Sequence, residues 1–270
     1  MNRFTKCLVL LTTLLLGPAW AQAGLVIETG LTIEKTMNSG ETYEGTIPIR
    51  NTGEAPLEVK VYQTDYAFFA DGRNDYGTPG KLPRSNAKWL RLSQEQLIIP
   101  PKARVNVGYT LKVPHDPKLT GTYWSMVMVE PIAPGSREST VKRPKESRMQ
   151  LSQVTRYGIQ IVTDIADSGT RELAFKNPAM QKKDGKRLFT VDLENTGERW
   201  LRPQLWLELY DRQGRPVGKF DGQKWRIYPG TSARTQIDLS KVAAGQYVAL
   251  IAADSGGDDL FGTQIELTVR

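Results

Sequence analysis

Runs of about ten residues in which apolar and polar side chains alternate, each closed by turn residues, restrict this chain to one kind of fold. Tyr43 opens YEGTIPIRN, Leu57 opens LEVKVYQTDY, Arg104 opens RVNVGYTLKV and Thr122 opens TYWSMVMVE. All run near period two and are rich in β-branched and aromatic residues, the pattern of half-buried strands. Asn38-Ser39-Gly40, Asn51-Thr52-Gly53, Pro100-Pro101 and the stretch from Pro114 to Gly121 punctuate them,. Helical spacing is nowhere convincing: Asn86 to Gln96 comes nearest, and its Trp89-Leu90 reads as the start of a strand. Many short strands with such punctuation indicate an all-β antiparallel sandwich or barrel.

The same grammar is written twice. Asn51-Thr52-Gly53-Glu54 returns as Asn195-Thr196-Gly197-Glu198, each after a strand-like run, and PQLWLELYD from Pro203 takes the place of LEVKVYQTD from Leu57. Leu97-Ile98-Ile99-Pro100-Pro101 is echoed by Trp225-Arg226-Ile227-Tyr228-Pro229-Gly230, and Thr120-Gly121-Thr122-Tyr123 by Ala244-Gly245-Gln246-Tyr247. Asn and Gly tolerate the backbone angles of tight corners, and Pro ends a strand without leaving a donor to pair. A Gly-X-Tyr at a strand entrance matches the tyrosine corner of immunoglobulin-like sandwiches. The order predicts two tandem immunoglobulin-like β-sandwiches, the first enlarged by an insertion from Asp71 to Lys88. The NTGE corners are expected to serve folding rather than binding.

Residues 1–23 read as a cleaved signal peptide. Arg3 and Lys6 precede an apolar run from Cys7 to Leu16, and Gly17-Pro18 breaks it before Ala21-Gln22-Ala23,. Cleavage is expected after Ala23, with Ala21 the near alternative, which makes the protein periplasmic. The remaining 247 residues contain no cysteine and no apolar stretch long enough to span a bilayer,. They carry 34 Lys and Arg against 29 Asp and Glu, a mild excess spread along the chain and no footprint for nucleic acid. The predicted domains are residues 24–165, containing a mobile loop at 134–148, and residues 166–270. MQLSQVTRYGIQIVTDI, from Met149 to Ile165, reads as one long strand that completes the first sandwich and runs into the second. A boundary within the loop is the simpler alternative.

Catalytic groups are scarce. His115, the only histidine, lies in a Pro-His-Asp-Pro turn with no nucleophile elbow,. Asp254-Ser255-Gly256-Gly257-Asp258-Asp259 lacks the spacing of a calcium loop and reads as a hairpin tip joining strands at Val248 and Phe261; Asp211-Arg212-Gln213-Gly214 reads likewise,. Trp89, Trp124, Trp200, Trp206 and Trp225 have the residue type for stacking on sugars, but in strands they are expected in a core,. No catalytic residue, metal site or cofactor is expected, and the protein is read as a non-enzymatic binding module. An edge strand with alternating apolar residues accepts a partner's strand. Met149, Leu151, Val154, Tyr157, Ile159 and Ile161 are the candidates.

KWLRLSQEQLIIPPKARVNVGYTLKVP followed by GTYWSMVMVEPI resembles the PapD-like periplasmic pilus-assembly chaperones, over the whole exported chain in architecture and roughly Ile47 to Ile165 in motif. The resemblance implies that the loop and the long strand correspond to the family's loop and seventh strand, whose apolar residues are lent to an unfinished pilin-like subunit. It also implies a basic pair that anchors the subunit's terminal carboxylate. The first-strand stretch LVIETGLTIE holds no Arg or Lys, and the seventh-strand position of the pair is Gln160, with Arg156 four residues earlier. The expectation is a divergent member binding an exported client, a fimbrial or surface-structure subunit or an usher, by strand addition. The alternative is a structural or adhesive module that holds cell-envelope polymer through Lys142, Arg143 and Lys145.

Overall fold

The computed structural model describes residues 24–140 and 155–270. Seventeen strands follow one another: β1 (Leu25–Ile27), β2 (Thr32–Met37), β3 (Thr42–Asn51), β4 (Leu57–Phe68), β5 (Asn74–Gly77), β6 (Leu90–Leu92), β7 (Gln96–Ile99), β8 (Arg104–Lys112), β9 (Gly121–Pro131) and β10 (Tyr157–Ile165). Then come β11 (Leu173–Lys183), β12 (Lys186–Asn195), β13 (Gln204–Tyr210), β14 (Pro216–Lys224), β15 (Ser232–Asp238), β16 (Gly245–Asp254) and β17 (Leu260–Val269). The helix-like stretch at Asn86 is one 3₁₀ turn, Ala87–Trp89, leading into β6.

Strands β1 to β10 form two sheets, β1-β3-β8-β6 and β2-β10-β9-β4-β5, with β7 added on β4. Alternation puts Ile47, Ile49, Val107 and Leu111 of one sheet against Val59, Val61, Val127 and Ile159 of the other, all fully buried. Strands β11 to β17 form β11-β12-β15 and β14-β13-β16-β17, closing over Phe189, Val191, Leu193, Leu205, Leu207 and Ile251. Burial of each such side chain contributes about 1.5–3 kcal/mol. The fold is the tandem immunoglobulin-like sandwich. The Asp211 and Asp254 segments are the β13–β14 and β16–β17 hairpin tips.

The repeated tetrapeptide is one corner built twice. Asn51 is fully buried; its Nδ2 donates to the Ala55, Ile99 and Pro100 carbonyls, and its Oδ1 accepts the Gly53 N–H at 2.8 Å. Asn195 repeats this on the Arg199 and Ile227 carbonyls and the Gly197 N–H. Ile99 and Ile227 are thus equivalent, although β7 is a strand and Ile227 makes only an isolated bridge to Leu201. The tyrosine corner is less regular. The Tyr247 hydroxyl donates to the Ala243 carbonyl, whereas the Tyr123 ring faces Trp89, with centroids 4.5 Å apart.

The insertion is a built element. Asp65, buried at the end of β4, accepts the Gly80, Lys81 and Leu82 N–H groups at 2.7–2.9 Å and the Ser85 hydroxyl. Asn86, also fully buried, donates to the Ile161 carbonyl and the Thr163 hydroxyl and accepts from Ser125, tying the insertion to β9 and β10.

Where the two sandwiches meet, Trp124 stacks on Tyr228 with centroids 4.7 Å apart, beside Val162, Phe68 and Trp200. The Thr122 N–H donates to the Glu198 carbonyl at 2.8 Å, and the Glu198 carboxylate takes Arg84 Nη2 at 2.8 Å and the Thr120 hydroxyl. Gly121 has φ +70°, and a Cβ there would overlap the Glu198 carbonyl, so only glycine fits,. The second NTGE corner is therefore also a contact between sandwiches. Of the tryptophans, Trp89 packs against the first core, whereas Trp124 belongs to this junction, Trp200 packs against it, and Trp225 is 39% exposed.

Candidate functional site

β10 lies between two strands of different reach. β9 pairs with it antiparallel along its whole length, from Tyr157↔Val129 to Ile165↔Gly121. β2 pairs with it in parallel only from Gln160 to Ile165. The limit is set by the first strand, which is split: β1 pairs with β3 in the opposite sheet, and the chain crosses over at Glu28–Leu31 to become β2. Glu28 fixes that crossing by holding Arg50 at 3.0 Å and Arg104 at 3.1 Å. Leu31 caps the pairing, its carbonyl accepting the Gln160 N–H at 2.9 Å.

Tyr157–Ile159 therefore has a strand on one side alone among the described residues. Since Gln160 directs its N–H toward β2, the residue two places back does the same by strand geometry. The N–H and C=O of Gly158 point to the side that β2 does not reach.

The side chains of β10 divide between two surroundings. Ile159 and Ile161 are 0% and 1% exposed in the core of the first sandwich; they hold the strand in place and offer no surface. Tyr157 packs partly buried against the same core. Arg156, Gly158, Gln160, Val162 and Asp164 alternate onto the opposite face, toward the second sandwich. Asp164 accepts the Thr122 hydroxyl at 2.5 Å and Trp200 Nε1 at 3.0 Å. Of the long predicted strand, the described part is Tyr157–Ile165, with Thr155 and Arg156 preceding it outside the ladder. Met149, Leu151 and Val154, and the cations Lys142, Arg143 and Lys145, lie outside the described residues.

Three groups close the cleft between the sandwiches at the level of Gln160. The Tyr228 hydroxyl donates to Gln160 Oε1, Arg226 pairs with Glu34 of β2, and the Arg226 guanidinium lies 4.0 Å from the Trp200 ring centroid. Burial pushes the Tyr228 phenol well above its ordinary value. The position expected to carry a lysine thus holds a neutral amide already engaged by the second sandwich. The nearby cation, Arg226, comes from that sandwich and faces an internal carboxylate. Sequence reading took in Arg226 and Tyr228 only as part of the repeated Trp225–Gly230 stretch and did not join them to Glu34, up to 194 residues away.

A second unpredicted cluster sits at the root of the loop. Glu58, 4% exposed, accepts the Thr140 and Ser139 hydroxyls, the Thr140 N–H and Gln96 Nε2. These donors, the Thr140 hydroxyl foremost, hold its carboxyl down to about 2. Lys60 pairs with Glu138 at 2.8 Å beside it. The described residues contain no group of three His, Cys, Asp or Glu side chains suited to a metal ion, and no helix long and apolar enough to cross a membrane.

No protein-family model matches the sequence, and no curated protein matches it. Solved structures do. A chain from the chaperone–tip adhesin complex of CFA/I fimbriae biogenesis aligns over 90% of this chain and 98% of its own, at 14% identity and a TM-score of 0.51. The class 5 fimbriae chaperone CfaA aligns over 89% and 98%, at 13% identity and a TM-score of 0.49. A chain of the CsuC–CsuE chaperone–tip subunit pre-assembly complex from Acinetobacter baumannii aligns over 90% and 98%, at 12% identity and a TM-score of 0.47. The likeness is one of fold, that of PapD-like chaperones.

Proposed function

We propose that this protein is a non-enzymatic periplasmic chaperone, exported by residues 1–23, that binds an exported client by adding a strand of the client to β10. One observation carries the reading: β2 stops at Gln160, so that among the described residues Tyr157–Ile159 is paired only with β9. An open edge supplies backbone donors and acceptors in fixed positions, so a partner strand gains its ladder at once. Met149, Leu151 and Val154 are proposed to continue the same edge and lend alternating apolar side chains to the client. The fold relative with a TM-score of 0.51 comes from a chaperone–tip adhesin complex, which supports a fimbrial or surface-structure subunit as the client class.

In this chain the cleft is held shut by its own groups, Glu34 on Arg226 and Tyr228 on Gln160. The client is therefore held chiefly by backbone pairing, without the basic pair of the chaperones it resembles. A matched pair of variants tests this. Gly158→Pro removes the outward N–H, while Gly158→Ala adds a similar carbon and keeps it. The expected result is that both variants stay folded and that the proline form captures at least tenfold less of the periplasmic client than the alanine form. Equal capture by both would overturn strand addition at this edge.

A further inference from the structure

The face of β9 turned toward the cleft carries Met126 and Met128, both buried, at 5% and 4% exposure. Their cross-strand neighbours explain where they lie. Met128 stands between Gly158 of β10 and Tyr62 of β4, and Met126 between Gln160 and Thr64. A Cβ built on Gly158 would overlap the Met126 sulfur, so that side chain occupies the space the glycine leaves. From the end of β10, Arg156 reaches to within 5.9 Å of the Tyr76 ring on the insertion hairpin, and Tyr76 packs at 5.2 Å on Tyr66. Tyr76 is 53% exposed. Two flexible thioethers thus lie one strand in from the Tyr157–Ile159 edge, with Tyr62 beside Met128 on the same face.

A strand added at Tyr157–Ile159 puts one side chain directly opposite Gly158 and on the same face. β10 offers no side chain there, so a large apolar group on the added strand folds over the glycine and meets Met126 and Met128. Cross-strand covering of a glycine by a bulky neighbour is favourable, and methionine adapts its shape to whatever is presented. Resting on the strand-addition reading, we propose that Gly158, Met126 and Met128 form a specificity subsite that selects a leucine- or phenylalanine-sized side chain on the client strand.

Alternating ten-residue peptides test this, with one face all threonine and the other all phenylalanine, all leucine, all threonine or all aspartate, and terminal lysines for solubility. Amide signals of Tyr157–Ile159 report strand addition, and labelled methionine methyls report the subsite. The phenylalanine and leucine peptides are expected to bind about tenfold or more tighter than the threonine and aspartate peptides, and to shift the Met126 and Met128 methyls. Gly158→Ala, whose Cβ meets the Met126 sulfur, and Met126→Ala with Met128→Ala should each flatten the preference. Equal binding of all peptides, with amide shifts but still methyls, would overturn the subsite and leave strand addition standing. No amide shift with any peptide would overturn both.

Discussion

Asn51 and Asn195 hold equivalent corners, yet the glutamates that follow them have different surroundings. Glu54 meets Lys102 in solvent, their side chains 69% and 58% exposed. Glu198 faces the first sandwich, where its carbonyl accepts from Thr122 and its carboxylate from Arg84 and Thr120. The first sandwich has an insertion that supplies Arg84, a split first strand and a last strand that, among the described residues, is paired on one side alone at Tyr157–Ile159. The second gained none of these and supplies Tyr228, Arg226 and Glu198 as the opposing wall. One fold built twice has divided its labour: the first copy carries the edge, the second closes the cleft around it.

Mutations separate the copies. The largest effect is expected for a charge placed in either core. Ile159→Asp and Leu207→Asp each bury an unpaired carboxylate at a fully buried position, a cost of several kcal/mol against a total stability of about 5–15 kcal/mol. Calorimetry should show the struck sandwich unfolded, and its partner keeping a transition of its own if the junction is the weaker link.

Next come the corners. Asn51→Ala and Asn195→Ala each strand buried carbonyls and one N–H, and each should cost about 2–3 kcal/mol in denaturant unfolding. Only Asn195→Ala should also loosen the junction, seen as faster hydrogen exchange at Thr122. Equal behaviour of that amide in both variants would show that the second corner is merely local.

The glutamates give a smaller contrast. Glu198→Ala removes a charged pair and a hydroxyl bond in a half-buried setting and should cost about 1–2 kcal/mol. Glu54→Ala should change stability by less than about 0.5 kcal/mol, as exposed pairs do.

A contrast read by pH is the Glu58 cluster, which the second sandwich lacks in this form. Its carboxyl is lowered from 4.5 to about 2, so the contribution is complete above 4.5 and is lost as pH falls through about 2. A carboxyl carbon signal with a midpoint near 2, and an acid-dependent release of Thr140 that Glu58→Gln abolishes, are the expected outcomes.

Strand identity and the pairing of the two copies were legible because side-chain alternation and turn chemistry are local. LFTVDLENTGE and its partner announce a strand and a corner wherever they fold. The junction was not legible. Arg84 and Glu198 are 114 positions apart, and Glu34 meets Arg226 only after β2 has changed sheets, a crossing marked by nothing but Gly30 and a charged neighbour. Ile159 and Ile161 showed the alternation of an interaction strand, which is equally the alternation of a core strand; burial assigns them to the core. The side of β10 that stays open depends on where β2 ends, a tertiary fact. Asp65 carried no signal in the sequence, although it organises the Gly80–Ser85 part of the insertion.

Hydrogen exchange at two neighbouring amides tests strand addition most directly. Gln160 already donates to Leu31 and should exchange slowly with or without the copurified client, whereas Gly158 should exchange fast alone and become strongly protected in the complex. A Gly158 amide that stays fast while the client is bound would contradict the account.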